Sequence, residues 1–468
     1  MAALLSDQHG VPISGSAEAV AVYDEAIDRL LRFHPDVVTH AGTLTTDHPD
    51  VAMGHALVAY LHLMSTDPAD LATASSAAAI LRERATHARE LGHAAAVDSW
   101  LEGDWVGAAA CLDDILQRWP TDLLALAIGH QLDFFLGNAA NLRDRVSRTL
   151  MEVDPENPHV GFVQGMQSFG LEEAGHYRQA EDAGLTAVER NRDDVWAVHA
   201  VVHTYEMQGR VDDGLKFMLA RENDWGTGNL FAVHVWWHLA LFALEAGDRD
   251  RALATYDAQI HNEGSAGVPL EMLDASALLW RFVLDDVSTG DRFAALATAW
   301  VRASGGEPWY AFNDLHAVMA FVGSGRFDKA RSLIERLEEY RDTATGTNAR
   351  ITAEVGLPAF RAVLAFGEDR YRDVIRELNP IRNVLHHMGG SHAQRDALQR
   401  TLLEAAIRAG EFDLARALTA ERLNVRDCAY YNWVQRSRAL RGLGLGDAAD
   451  EAVLRGEEYR RRFAAVLS

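Results

Sequence analysis

The stretch "HTYEMQGRVDDGL" (203–215) joins two helix-forming runs through one glycine, Gly209. Apolar residues return at four-residue spacing after it, as Val211 and Leu215. A glycine here ends one helix in a left-handed cap, and the polar residue beside it opens the next. The same turn recurs along the chain. "GDWVGAA" starts at Gly103, "GNAANLR" at Gly137, "GHYRQAE" at Gly175 and "GDRDRAL" at Gly247. "GDRFAAL" follows at Gly290, "GRFDKAR" at Gly325, "GEDRYRD" at Gly367, "GEFDLAR" at Gly410 and "GDAADEA" at Gly446. Successive spacings are 34, 38, 34, 38, 43, 35, 42, 43 and 36 residues.

A period of about 34 residues carrying a helix–turn–helix is the tetratricopeptide signature. It predicts an all-α, tetratricopeptide-like α-solenoid of antiparallel helix pairs, superhelical, with a concave groove lined by the helices that precede each glycine. We call these the A helices and those that follow the B helices. No alternating strand pattern is legible, so no strands are expected. Residues 1–90 read as an N-terminal helical cap, with helices near 16–33, 50–66 and 68–90. Residues 91–468 read as one continuous repeat array, with "DTATGTN" (342–348) as an exposed loop.

Composition bounds the function. The 468 residues are 48% hydrophobic and 24% charged, ordinary for a folded core. A net charge of −24 repels phosphate backbones and anionic membranes, so neither nucleic acid nor membrane is expected as a partner. Two cysteines, Cys111 and Cys428, make no disulfide framework, and a reducing cytoplasm is the natural compartment. The first residues lack a basic, apolar leader, and no run of about 18 apolar residues could span a bilayer.

The repeat frame sorts the histidines. His130 lies seven residues before Gly137; His199 and His203 lie ten and six before Gly209. His234 and His238 lie thirteen and nine before Gly247, and His316 nine before Gly325. All six therefore fall on A helices. Their offsets differ mostly by threes and fours, which puts them mainly on one face. Glu206 follows His199 by seven and shares its face. Two such His-x-x-x-His pairs, with a carboxylate beside them, suit a divalent metal such as zinc at His199, His203, His234 and His238. They equally suit a metal-free acid–base site or polar packing. His-Glu-x-x-His is absent, because residue 200 is Ala.

Other groups can join the inner surface. Asn313 and Asp314 stand where a helix N-cap is expected, just before His316. Asp274 and Arg281, seven apart, read as a salt-bridged packing pair. Ser391 with Gln394 is a capping-box pattern, and Arg395 beside that helix start could hold an anion. Trp237, next to His238, could wall a ligand, although large aromatics usually fill cores.

The segments "VAMGHALVAYL" (51–61), "DLLALAIGH" (122–130), "RDRV" (143–146), "FGLEEAGHY" (169–177), "HAVVHTYEM" (199–207), "HVWWHLAL" (234–241), "FNDLHA" (312–317) and "GGSHAQRD" (389–396) together resemble the tetratricopeptide repeat protein 38 family. The resemblance runs over roughly residues 15–440. It implies an all-helical fold and a soluble intracellular protein. Its motif residues here are His55, His130, His199, His203, Glu206, His234, His238, Asn313, Asp314, His316, Gln394, Arg395 and Asp396. Two positions depart from the family pattern: Val235 stands where Asn is frequent, and Gln131 where an acidic residue is frequent.

Two readings follow. In the first, the chain processes a small molecule by acid–base or metal-assisted hydrolysis of an amide or ester. His130, His199, His203, Glu206, His234, His238 and His316 would be the catalytic set. His55, Trp237, Asn313, Asp314, Gln394 and Arg395 would contact the substrate. In the second, the groove is a non-catalytic scaffold for a peptide or protein. The A helices favour the first, because they carry His, Trp and Glu rather than the Lys, Arg and Asn that hold acidic tails. A homodimer is compatible with either.

Overall fold

The computed structural model describes residues 4–467 and is built almost entirely of α-helices. Each of the ten turns has a helix on either side, from Ala88–Leu101 with Trp105–Arg118 to Tyr430–Gly442 with Gly446–Leu467. This is the tetratricopeptide-like architecture of stacked helix pairs. The turn chemistry explains the pairing. Gly103, Gly137, Gly175, Gly209, Gly247, Gly290, Gly325 and Gly410 all have positive φ, between 57° and 83°. The polar residue after the glycine often caps the next helix. Asp104 accepts from Gly107 N at 2.9 Å, Asn138 from Asn141 N at 3.1 Å and Asp248 from Arg251 N at 3.0 Å.

Two turns use a different residue from the one the motif suggests. Gly367 still belongs to the helix Leu357–Gly367, and Asp369 two residues on takes φ 58°. A Cβ on Gly367 would collide with Val322, so that glycine serves close packing rather than the turn. At the last turn Gly444 has φ 76°, and Gly446 opens the following helix.

A and B helices differ in burial. The B helix Ala139–Leu150 buries Leu142, Arg145, Val146 and Thr149, a single stripe at i, i+3, i+4 and i+7. The A helix Leu123–Phe135 buries Leu123–Leu126, Ile128–His130, Leu132, Asp133 and Phe135, on nearly every face. The A-helix histidines are therefore embedded in packed helices.

Backbone contacts group the helices into two compact units. The first runs to Ala200 and adds Thr227–Ala232 and Ala344–Arg350; the second holds Val201–Gly226, Val233–Thr343 and the chain from Ile351. Residues up to 90 contribute the opening helices of the first unit, including one not expected from sequence, Val37–Asp47. Its Thr- and Gly-containing stretch has weak helix propensity and no side-chain cap bond, so local signals are faint. Two three-residue strands, Leu4–Ser6 and Pro12–Ser14, pair antiparallel, correcting the strandless expectation; they are too short to show alternation. The expected loop 342–348 ends in a strap rather than free in solvent. Thr347 N donates to Gly103 O at 2.9 Å, and Trp105 N donates to Thr347 Oγ1 at 3.1 Å.

The first unit's interior carries a charge network. Arg89 Nε donates to Asp122 Oδ2 at 2.7 Å and pairs with Asp7 at 3.0 Å, while His93 Nε2 lies 3.2 Å from Asp122. Burial would raise the Asp122 carboxyl, but Arg89 and His93 outweigh it and hold Asp122 ionised.

A candidate histidine–carboxylate centre

The second unit gathers His203, His234 and His238. His203 comes from the helix Val195–Met207, and the other two from Ala232–Glu245. One nitrogen of each can be chosen so that all lie within 4.8 Å of one another. The rings of His203 and His238 are 4.5 Å apart, those of His234 and His238 4.8 Å, both edge to face.

Each ring of the second pair is held by a carboxylate. His234 Nδ1 lies 2.7 Å from Asp274 Oδ2, and His238 Nδ1 lies 2.8 Å from Glu206 Oε2. The two Nε2 atoms then face each other at 3.3 Å. When each Nδ1–H donates to its carboxylate, both Nε2 atoms present lone pairs to the same point. A tetrahedral ion with metal–nitrogen bonds of about 2.0–2.1 Å sets its ligand nitrogens about 3.3–3.4 Å apart. A carboxylate on the distal nitrogen is the usual support for a metal-binding imidazole, because it fixes the tautomer and raises basicity.

The electrostatics fit an uncharged His238. Burial holds His238 well below the ordinary histidine range, with His234 and Arg281 adding to it. Burial pushes Glu206 up to about 7, against the pull of Arg426 and Arg281. Trp237 stacks on His234 at 5.3 Å and is fully buried, and the Arg281 guanidinium lies over the Trp237 ring, 5.4 Å from its centroid.

The remaining expected residues are placed as follows. Asp274 and Arg281 do not pair with each other. Asp274 takes His234 and Gln394, whose Nε2 donates to Oδ1 at 3.3 Å. Arg281 donates to Ala277 O and Ala393 O. Gln394 also closes the capping box with Ser391, as the sequence pattern suggests. Arg395 donates to Gly390 O. Asn313 and Asp314 are not caps: their helix starts at Ala311, after Tyr310, so both sit buried in its first turn. Burial pushes Asp314 up to about 7. His316 Nδ1 donates to Phe312 O, 2.7 Å away, and burial pushes the ring down to about 4.

In the first unit, His55 Nε2 meets Pro49 O at 2.9 Å. His130 is buried among Phe169 and Trp196, and burial, aided by Arg145, pushes it down to about 3. His199 is ringed by Phe169, Trp196 and Phe231 at 4.9–5.1 Å. It precedes His203 by one turn on the same helix.

Sequence reasoning missed the arginine-rich surround. Arg400 Nε donates to Asp396 Oδ2 at 2.6 Å and its Nη2 to Glu245 Oε1 at 2.8 Å, while Arg422 pairs with Asp396 at 2.8 Å. The i, i+4 spacing of Asp396 and Arg400 was the available signal.

No family model matches the sequence. Among solved structures, the chain is similar to a monomeric mutant of IFIT1 with Gppp-AAAA: 14% identity, 87% of this chain and 90% of that one, TM-score 0.39. It is similar to yeast Tom70 at 11% identity, 96% of each chain, TM-score 0.36. It is also similar to the APC/C hetero-tetramer Cut9–Hcn1 at 11% identity, 96% of each chain, TM-score 0.29. At these scores nothing that those proteins bind is carried over. No described helix is long and apolar enough to cross a membrane.

Proposed function

We propose that this chain is a member of the tetratricopeptide repeat protein 38 family and an enzyme acting on a small molecule. Its centre is a divalent metal of the zinc type held by His203, His234 and His238, and its reaction is hydrolysis of an amide or ester. One observation carries this reading: two imidazoles, each held at Nδ1 by its own carboxylate, turn their Nε2 atoms together at the edge length of a tetrahedral site.

A metal there would supply Lewis acidity and an activated water. The protein's part is to hold His238 neutral and the rings oriented. Asp274 and Glu206 fix the ring tautomers, Trp237 excludes water from one side, and Glu206 is tuned near neutrality to hold or release a proton. The second reading, a peptide-binding scaffold, is supported by the helix-pair repeat itself, since fold alone does not dictate chemistry.

The test is elemental mass spectrometry on untagged protein purified without chelators or metal columns. Near-stoichiometric zinc, manganese, iron or copper is expected. His203→Ala and His234→Ala should each abolish its retention with helicity intact. A wild-type protein that retains no metal after incubation with zinc and dialysis overturns the metal centre. The weight then moves to the metal-free site or the scaffold.

A further inference from the structure

The second unit contains a cavity of about 20 Å³ beside the histidine centre. Its charged lining is Glu206, Glu245, Arg281, Arg400 and Arg426. Room of this size admits one small oxygen-bearing group. Glu206 links the two places: it lines the cavity and bonds His238 Nδ1.

The charges around the cavity do not balance. Arg400 is matched by Asp396 and Glu245. Arg422 and Arg426 both turn to Asp396 too, at 2.8 and 3.7 Å. Arg281 has no carboxylate within ion-pair distance among the described residues. Its Nη atoms donate to two backbone carbonyls, Ala277 O at 2.8 Å and Ala393 O at 2.7 Å, and its Nε is buried without a hydrogen-bond partner. The residue is only 2% exposed. Burying a cation without an anion costs several kcal/mol, and a fixed guanidinium fork suits a carboxylate. In a chain of net charge −24 this local cationic excess runs against the whole.

We propose that this cavity binds a carboxylate group, recognised by Arg281 and Arg426, and that the substrate of the neighbouring centre is an amide or ester bearing a free carboxylate close to the scissile bond. The second half rests on the hydrolase reading above; the first half does not. Burial and the nearby Arg400 lower the Arg281 pKa to about 10, as expected of a cation awaiting its counter-charge.

The test titrates sodium acetate into chelator-treated full-length protein by calorimetry, with chloride holding ionic strength constant. Saturable binding is expected in wild type, weakened at least tenfold in Arg281→Met and in Arg426→Gln. Should Arg281→Met lose helicity, Arg426→Gln, at a less buried position, decides. Absence of saturable acetate binding, or binding unchanged in the folded variants, overturns the inference. With zinc restored, an N-acyl amino acid should be cleaved at least tenfold faster than its carboxamide. Equal rates would overturn the substrate assignment. Acetate binding without metal retention would overturn the hydrolase reading and leave the anion site standing.

Discussion

Replacing Asp274 tests the histidine centre where it is most sensitive. Its Oδ2 sits 2.7 Å from His234 Nδ1 and its Oδ1 takes Gln394 Nε2 at 3.3 Å, in a fully buried position. Asp274→Asn keeps an acceptor oxygen but removes the charge that raises the basicity of the ring. Asp274→Ala removes both and lets the ring turn. Loss of such a partner weakens metal binding about 10–100-fold, so we expect the Asn variant near the lower figure and the Ala variant near the upper. The shift is readable as stability. At a zinc concentration 100 times the wild-type Kd, the wild type gains about 2.7 kcal/mol. At the same zinc concentration, the Asn variant should gain about 1.4 kcal/mol and the Ala variant about 0.4 kcal/mol. Competition against a chromophoric chelator measures the affinity, and urea unfolding with and without zinc measures the linkage. An Ala variant whose zinc affinity stays within twofold of wild type would refute the assignment of Asp274 as the support of a metal-binding imidazole.

Two further outcomes concern buried carboxylates. Asp314 is raised to about 7 in the folded chain from an ordinary 3.8, so its contribution is full at low pH and is lost as pH rises through 7. Asp314→Asn should match wild type near pH 4 and exceed its stability by up to about 4 kcal/mol at pH 8; a difference independent of pH in urea titrations would count against this. Asp122 does the opposite work, anchoring Arg89 and His93 and accepting from Ala125 N at 3.1 Å. Asp122→Ala should destabilise the first unit by about 3 kcal/mol or more, leaving Arg89 with Asp7 alone among the described carboxylates, and a loss below about 1 kcal/mol in hydrogen exchange of residues 123–135 would be contrary.

The repeat was legible because it is written locally. A glycine at positive φ needs no knowledge of distant residues, and eight of the motif glycines adopt it; at Gly103, Gly137 and Gly247 a capping Asp or Asn follows. It misled where a second pressure acts on glycine, as at Gly367, which is there to let Val322 approach. The gathering of His203, His234 and His238 was legible from helical spacing, whereas His130 and His316, expected on the same face, sit apart, His130 among Phe169 and Trp196 and His316 at Phe312 O. The carboxylate on His234 was not, because Asp274 lies 40 residues away on another helix and the sequence suggested Arg281 as its partner. Asn313 and Asp314 look like caps in sequence. The true start, after Tyr310, has no side-chain cap bond to announce it.

The strap at Ala344–Arg350 has a consequence for the order in which the protein is made. Thr347 and Gly103 meet across more than half the chain, and Trp105 N donates to Thr347 Oγ1. At about 5–20 residues per second, the ribosome delivers that acceptor roughly 12–50 s after Trp105 leaves it. Through that interval the Gly103 turn waits with its backbone groups in water. A nascent chain cut short before residue 344 carries a first unit with an open seam, so this unit is not a portable module even though most of it lies before residue 201.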